Sequence, residues 1–190
     1  GKDNWGPIRT APLTQIRKTI AKQMAKSAFT IPHVTHGDEA DITELERLRK
    51  ELSAASGVKL TLMALLVRAL CVALKKFPIL NSTFDDEAGA IIYKEYVNMG
   101  IAVDTDRGLV VPSIRNADRL SVVGAGEALV ALANKARANQ FSIDDLRGGT
   151  FTITNVGPMG GTFATPIINH PEVAILGLGR SRRMPVFGAG

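Results

Sequence analysis

The sequence predicts an α+β domain on three observations. Four stretches read as helices, short strand-like runs lie between them, and the two kinds of element do not alternate in a repeating βαβ rhythm. Helices packed on a mostly antiparallel or mixed sheet are therefore expected, not a doubly wound fold. With 190 residues the chain has the size of one ordinary domain, so a single core is expected. Hydrophobic residues make up 45% and charged residues 22%, which excludes disordered, collagenous and fibrous readings.

The first helix is expected over residues 12–28, where Leu13, Ile16, Ile20 and Met24 recur every three or four positions and Pro12 sits where a helix start tolerates proline. Pro32 stops it, and residues 33–40 read as a strand that Gly37 weakens. Asp41 followed by Glu44 has the pattern of a capping box for a second, surface-lying helix, with Leu45, Leu48 and Leu52 on one side and Gly57 at its end. Residues 61–76 are apolar on nearly every face and predict a buried helix closed by Pro78. Strand candidates follow at 80–84 and 90–93 around the acidic turn Asp85-Asp86-Glu87, then at 97–103, then at 109–114 after the turn Asp104-Thr105-Asp106-Arg107-Gly108. Together these read as an antiparallel meander. A long alanine-rich helix over 120–138, a short capped turn at 142–146 closed by Gly148-Gly149, and strands at 150–155 and 173–178 complete the set.

Composition narrows the function classes. The longest apolar run, Leu60 to Leu74, is interrupted by Thr61 and Arg68 and falls short of the ~20 residues that cross a bilayer, so no membrane partner is expected. No signal-peptide pattern opens the chain, and residues 1–11 read as a linker remnant ahead of a domain at 12–190. The lone Cys71 lies inside an apolar run, as a buried thiol in a reducing compartment would. A net charge of +5 suits a phosphate-bearing partner. Nucleic acid is not expected, because the bases are scattered and aromatics make up only 5%.

Few residues could carry chemistry by pattern alone. His33 and His36 would fall on opposite faces of a strand, no Cys-x-x-Cys accompanies them, and no metal site is expected. His170, ahead of Pro171, reads as structural. The stretch Gly157-Pro158-Met159-Gly160-Gly161 lacks both the P-loop ending and the Gly-x-Gly-x-x-Gly spacing, so it reads as a tight loop shaping a pocket. Thr152 and Thr154 alternate with Phe151 and Ile153, which puts both hydroxyls on one strand face. A hydroxyl at a strand end can donate to an oxyanion, although sheet propensity alone accounts for most such threonines.

Three strings near the end resemble the acyltransferase (E2) catalytic domain of 2-oxo acid dehydrogenase complexes: Gly149-Thr150-Phe151-Thr152-Ile153-Thr154-Asn155-Val156-Gly157, then residues 160–169, then Pro171-Glu172-Val173-Ala174-Ile175-Leu176-Gly177. The resemblance extends upstream through residues 13–21, through Ile31-Pro32-His33-Val34-Thr35, and through Val103-Asp104-Thr105 with Arg107-Gly108-Leu109-Val110-Val111-Pro112. It implies a chloramphenicol acetyltransferase-like (CoA-dependent acyltransferase) fold, a mixed sheet with packed helices. It also implies homotrimers that assemble into a large hollow core and work with a lipoyl domain and the E1 and E3 components. The implied reaction moves an acyl group from a dihydrolipoyl arm on a separate domain to coenzyme A, with no metal. The family's oxyanion donor falls on Thr154. Arg17 and Lys18, on the polar side of the first helix, are candidates for coenzyme A contact.

One departure stands out. The family's base lies in a His-x-x-x-Asp-Gly motif that none of the three histidines matches, and the expectation is a chain that is C-terminally incomplete, Arg180 to Val186 resembling the lead-in to the rest. Two alternatives stay open: a structural core subunit without chemistry, and a chloramphenicol-type acetyltransferase. A bacterial or archaeal cytoplasm, or a mitochondrial matrix, is the expected location.

Overall fold

The computed structural model describes residues 1–105 and 108–185. The expected turn through Asp106 and Arg107, and Val186 of the lead-in segment, lie outside the described residues. All four long helices form. α1 (Gln15–Thr30) starts and ends two to three residues later than expected, and its C-terminus closes with Ile31 N–H donating to Ser27 O. α2 (Thr43–Ser56) stops at Gly57, whose φ of 69° is the left-handed conformation that glycine adopts without penalty. Its expected capping box does not form: Ile42 is the N-cap and has no side-chain cap bond, Asp41 Oδ1 accepts instead from Thr43 N–H at 2.8 Å, and Glu44 pairs with Arg47. α3 (Leu62–Lys76) buries Ala64, Leu65, Val67, Cys71 and Leu74. α4 (Val122–Arg137) is capped by Ser121, whose hydroxyl accepts from Gly124 N–H at 3.0 Å.

The strands are β1 (Ser82–Asp85), β2 (Ala90–Tyr93), β3 (Met99–Ile101), β4 (Val103–Thr105), β5 (Gly108–Val110), β6 (Ser113–Ile114), β7 (Phe151–Asn155) and β8 (Ile175–Leu178). Three expectations are corrected here. Residues 33–40 join no ladder. Residues 78–81 form a turn of 3₁₀ helix, which starts β1 later than expected. No continuous meander exists, because the runs at 97–103 and 109–114 each break in two. Their first and last parts, β3 and β6, pair antiparallel inside a four-stranded sheet ordered β6-β3-β7-β8, while β4 and β5 leave it as a separate ribbon, and β1 and β2 make another. The breaks fall at Ala102 and at Val111-Pro112, where proline has no N–H to continue a ladder. β3, β7 and β8 run parallel, which makes the main sheet mixed.

α3 and α4 cover one face of this sheet, and Val67, Cys71, Leu74, Ala125 and Leu132 meet Met99, Ile101, Ile114, Phe151 and Ile153 in one core. Each large aliphatic side chain buried there contributes roughly 1.5–3 kcal/mol. Gly126 of α4 lets the helices close up, since a Cβ there would lie 2.5 Å from Leu60 Cδ2. The short turn at 142–146 is capped as expected: Asp145 Oδ2 accepts from both Ser142 N–H and Ser142 Oγ, and Asp145 N–H donates back to Ser142 Oγ.

A parallel pair needs a long crossover, usually helical. The β7–β8 crossover has only one short 3₁₀ turn, Gly157–Met159, and α1 holds the rest from outside. The Ser27 hydroxyl donates to Ile168 O at 2.5 Å and Gln23 Nε2 to His170 O at 2.6 Å. Ser27, fully buried, is the one helix α1 residue committed to the interior.

Candidate functional site

The carboxyl ends of β7 and β8 open into a cleft of about 1020 Å3, with a second of about 680 Å3 beside it. The larger is walled on one side by residues 33–39 and on the other by Thr162, Phe163, Pro166 and residues 173–179. The smaller takes in Asn155, Gly157 and Pro158, so the glycine-rich loop does help shape a pocket. Arg182 reaches over the opening to Glu39 at 2.8 Å, an exposed pair of the kind worth little energetically.

Thr154 is the penultimate residue of β7, half-buried, opposite Gly177 of β8 in register. Gly177 lines both clefts, and a Cβ there would stand 3.4 Å from the Pro166 ring. No hydrogen bond among the described residues engages the Thr154 hydroxyl. Thr152, on the same strand face, is 1% exposed, so β7 is enclosed on both faces at that level. Arg17 and Lys18 lie exposed in the first turn of α1 and do not line either cleft. Thr154 lines neither cleft itself, although its β8 partner Gly177 and the neighbouring Asn155 and Val156 do, and the two cations also lie outside both linings.

Two groups matter more than their sequence context suggests. His33 bridges the cleft walls: its Nδ1 lies 2.8 Å from Ile31 O, and its Nε2 accepts from Ile168 N–H at 3.0 Å. A neutral ring protonated on Nδ1 satisfies both. Glu172 is 3% exposed, and burial pushes its carboxyl up to about 7 against the opposing bonds from Thr152 and Asn169. Glutamate reads as a surface residue in any string, and only the apolar run following it hinted at burial. His170 is held below the usual histidine value by burial and by nearby Lys26.

The cleft wall tolerates no added bulk at Gly179, where a Cβ would stand 2.5 Å from the backbone oxygen of Thr162. Gly179→Ala is expected to cost roughly 1–3 kcal/mol, since the clash is with main chain and cannot be relieved by a rotamer change. Urea denaturation of the two proteins checks this; equal midpoints would show that the loop yields freely.

A family model for the 2-oxoacid dehydrogenases acyltransferase (catalytic domain) matches residues 6–190. The chain belongs to this acyltransferase family. It is 47% identical over 187 residues to the dihydrolipoyllysine-residue acetyltransferase component of the pyruvate dehydrogenase complex of Staphylococcus aureus, covering 97% of this chain and 44% of that protein. It therefore spans less than half the length of the curated relatives it matches. Among solved structures, a dihydrolipoamide acetyltransferase from Azotobacter vinelandii, studied for the catalytic roles of a serine, a histidine and an asparagine, superposes with a TM-score of 0.91 at 42% identity, over 96% of this chain and 76% of that one. The cubic core of a pyruvate dehydrogenase multienzyme complex gives the same score, identity and coverage. The acyltransferase domain accordingly has the CoA-dependent acyltransferase fold, the α+β class that the sequence predicts.

Proposed function

We propose that this acyltransferase domain moves an acyl group, acetyl by its relatives' names, between a dihydrolipoyl arm and coenzyme A, inside the oligomeric core of a 2-oxo acid dehydrogenase complex. The observation that carries the reading is the match to acetyltransferases of such complexes along 97% of the chain. An unengaged hydroxyl at the end of β7 supports it. In the reaction the CoA sulfur attacks the thioester carbonyl, a new carbon–sulfur bond forms, and the dihydrolipoyl sulfur leaves and takes up a proton. Thr154 donates to the oxygen that becomes negative in between. The proton acceptor for the CoA thiol is assigned to none of His33, His36 and His170, which lie outside the family's His-x-x-x-Asp-Gly motif.

Arg17 and Lys18 are proposed to meet the CoA phosphates, which their exposure allows. The partners proposed are a lipoyl domain, the E1 and E3 components, and copies of the chain in a homotrimer. The setting is a reducing compartment, either a bacterial or archaeal cytoplasm or a mitochondrial matrix. The full-length protein, given acetyl-CoA and dihydrolipoamide, is expected to form acetyl-dihydrolipoamide and free CoA. Absence of that product, or acetylation of chloramphenicol in its place, would overturn the reading.

A further inference from the structure

One buried ionisable group has no part in the chemistry above. The Glu172 carboxyl lies in the crossover between β7 and β8, where its Oε2 accepts from the Thr152 hydroxyl at 2.6 Å and its Oε1 from the Asn169 amide at 3.1 Å. Two glycines clear the slot it occupies. A Cβ at Gly100 of β3 would stand 2.8 Å from Thr152 Oγ1, and one at Gly149 would stand 3.0 Å from both Glu172 Oε1 and Ser113 Oγ. Among the described residues, the groups given near the carboxyl are neutral: Thr152 from β7, Asn169 from the crossover, Ser113 from β6, and the Gly149 backbone. Among the described residues no cation forms an ion pair with it.

Such a placement is costly for a carboxylate, because two hydrogen bonds do not replace its water. Glutamine would fill the same volume without that penalty, so filling space does not explain an acid here. What the acid adds is acceptance through both oxygens at once, which fixes the Thr152 hydroxyl against β3 on one side and the crossover on the other. Residues two apart on a strand share a face and stand ~7 Å apart, so holding Thr152 holds the stretch of β7 that carries the Thr154 hydroxyl. We propose that Glu172 is a positioning residue for acyl transfer, a carboxylate that pins Thr152 and so aims the Thr154 hydroxyl at the reacting thioester.

This inference rests on the acyl-transfer reading, and the test separates the two. Acetyl transfer from acetyl-CoA to dihydrolipoamide is measured for the full-length protein and for its Glu172→Gln, Glu172→Ala and Thr152→Val variants, from pH 5.5 to 9. Glu172→Ala and Thr152→Val are expected to lower kcat roughly 10–100-fold with KM for acetyl-CoA changed less than about twofold. Glu172→Gln imitates the protonated acid. It is expected to match the parent below pH 6 and to fall behind by roughly threefold or more above pH 8, where the parent's carboxyl is ionised.

Superimposable profiles for the parent and Glu172→Gln, at equal kcat, would overturn the positioning role while leaving acyl transfer standing. A parent with no activity at all would instead overturn acyl transfer, and the positioning role with it. Where the alanine variant does not fold, the glutamine profile alone decides.

Discussion

Replacing Thr154 with valine is expected to lower kcat for acetyl transfer by ~10²–10³, the usual cost of removing one donor from an oxyanion site. Valine keeps the β-branched shape, so strand propensity at the end of β7 is preserved. The hydroxyl makes no hydrogen bond among the described residues, so the folded state loses little when the oxygen goes. A change in kcat with near-constant KM and near-constant urea midpoint is the signature of an interaction made only in the transition state. Thr154→Ser, which keeps the donor, should recover most of the rate. Full activity in the valine protein would remove Thr154 from the mechanism.

The second large effect concerns stability and pH. Burial raises the Glu172 carboxyl from 4.5 to about 7, with the Thr152 and Asn169 bonds pulling the other way. Unfolded, the group ionises near 4.5; folded, it holds its proton until about 7. Across that window the folded state binds the extra proton, so stability falls as pH rises and is lowest above pH 7. The displacement corresponds to about 3 kcal/mol.

Glu172→Gln, with nothing to ionise, should be more stable than the parent by about that amount at pH 8 and nearly equal to it at pH 4.5. His170, held low, works in the opposite direction over part of the range, since the unfolded chain is then the one with more protons. Comparing urea midpoints of the two proteins cancels it. A difference that does not change with pH would show that the carboxyl is not strained by its surroundings. If the result holds, the domain retains a destabilising acid for the sake of where it puts a hydroxyl, a trade found at many functional sites.

Local physics made the helices legible. A 3.6-residue period over α1 and α2, the apolar run of α3, the alanine-rich run of α4, Gly57 in a left-handed cap and the Ser142–Asp145 cap are each written in a few neighbouring residues. Strand partners are not. Nothing local says that β3 should pair parallel with β7, or that Ala102 divides one apolar run between two sheets, because both follow from which ladder offers free N–H groups once the core has formed. Residues 33–40 failed as a strand for the same reason: His33 is engaged by the main chain at Ile31 and Ile168, and no strand among the described residues pairs with this segment.

At the site, Thr154 was legible only through resemblance, since its alternation with Ile153 would suit any sheet threonine. Glu172 and His33 were not legible as anything special, because their roles depend on contacts with residues far away in sequence. Asn169 is Glu172's one nearby partner.

The clasp of α1 over the last crossover has a consequence for biosynthesis. Ser27 and Gln23 grip carbonyls 141 and 147 positions later, so α1 must wait for a crossover synthesised far downstream of it before its one interior side chain is satisfied. Contacts of such long sequence separation form late and leave intermediates exposed to aggregation. A nascent chain of this protein is therefore expected to stay protease-sensitive in both α1 and the crossover until the two meet, and to lose that sensitivity in both at the same moment.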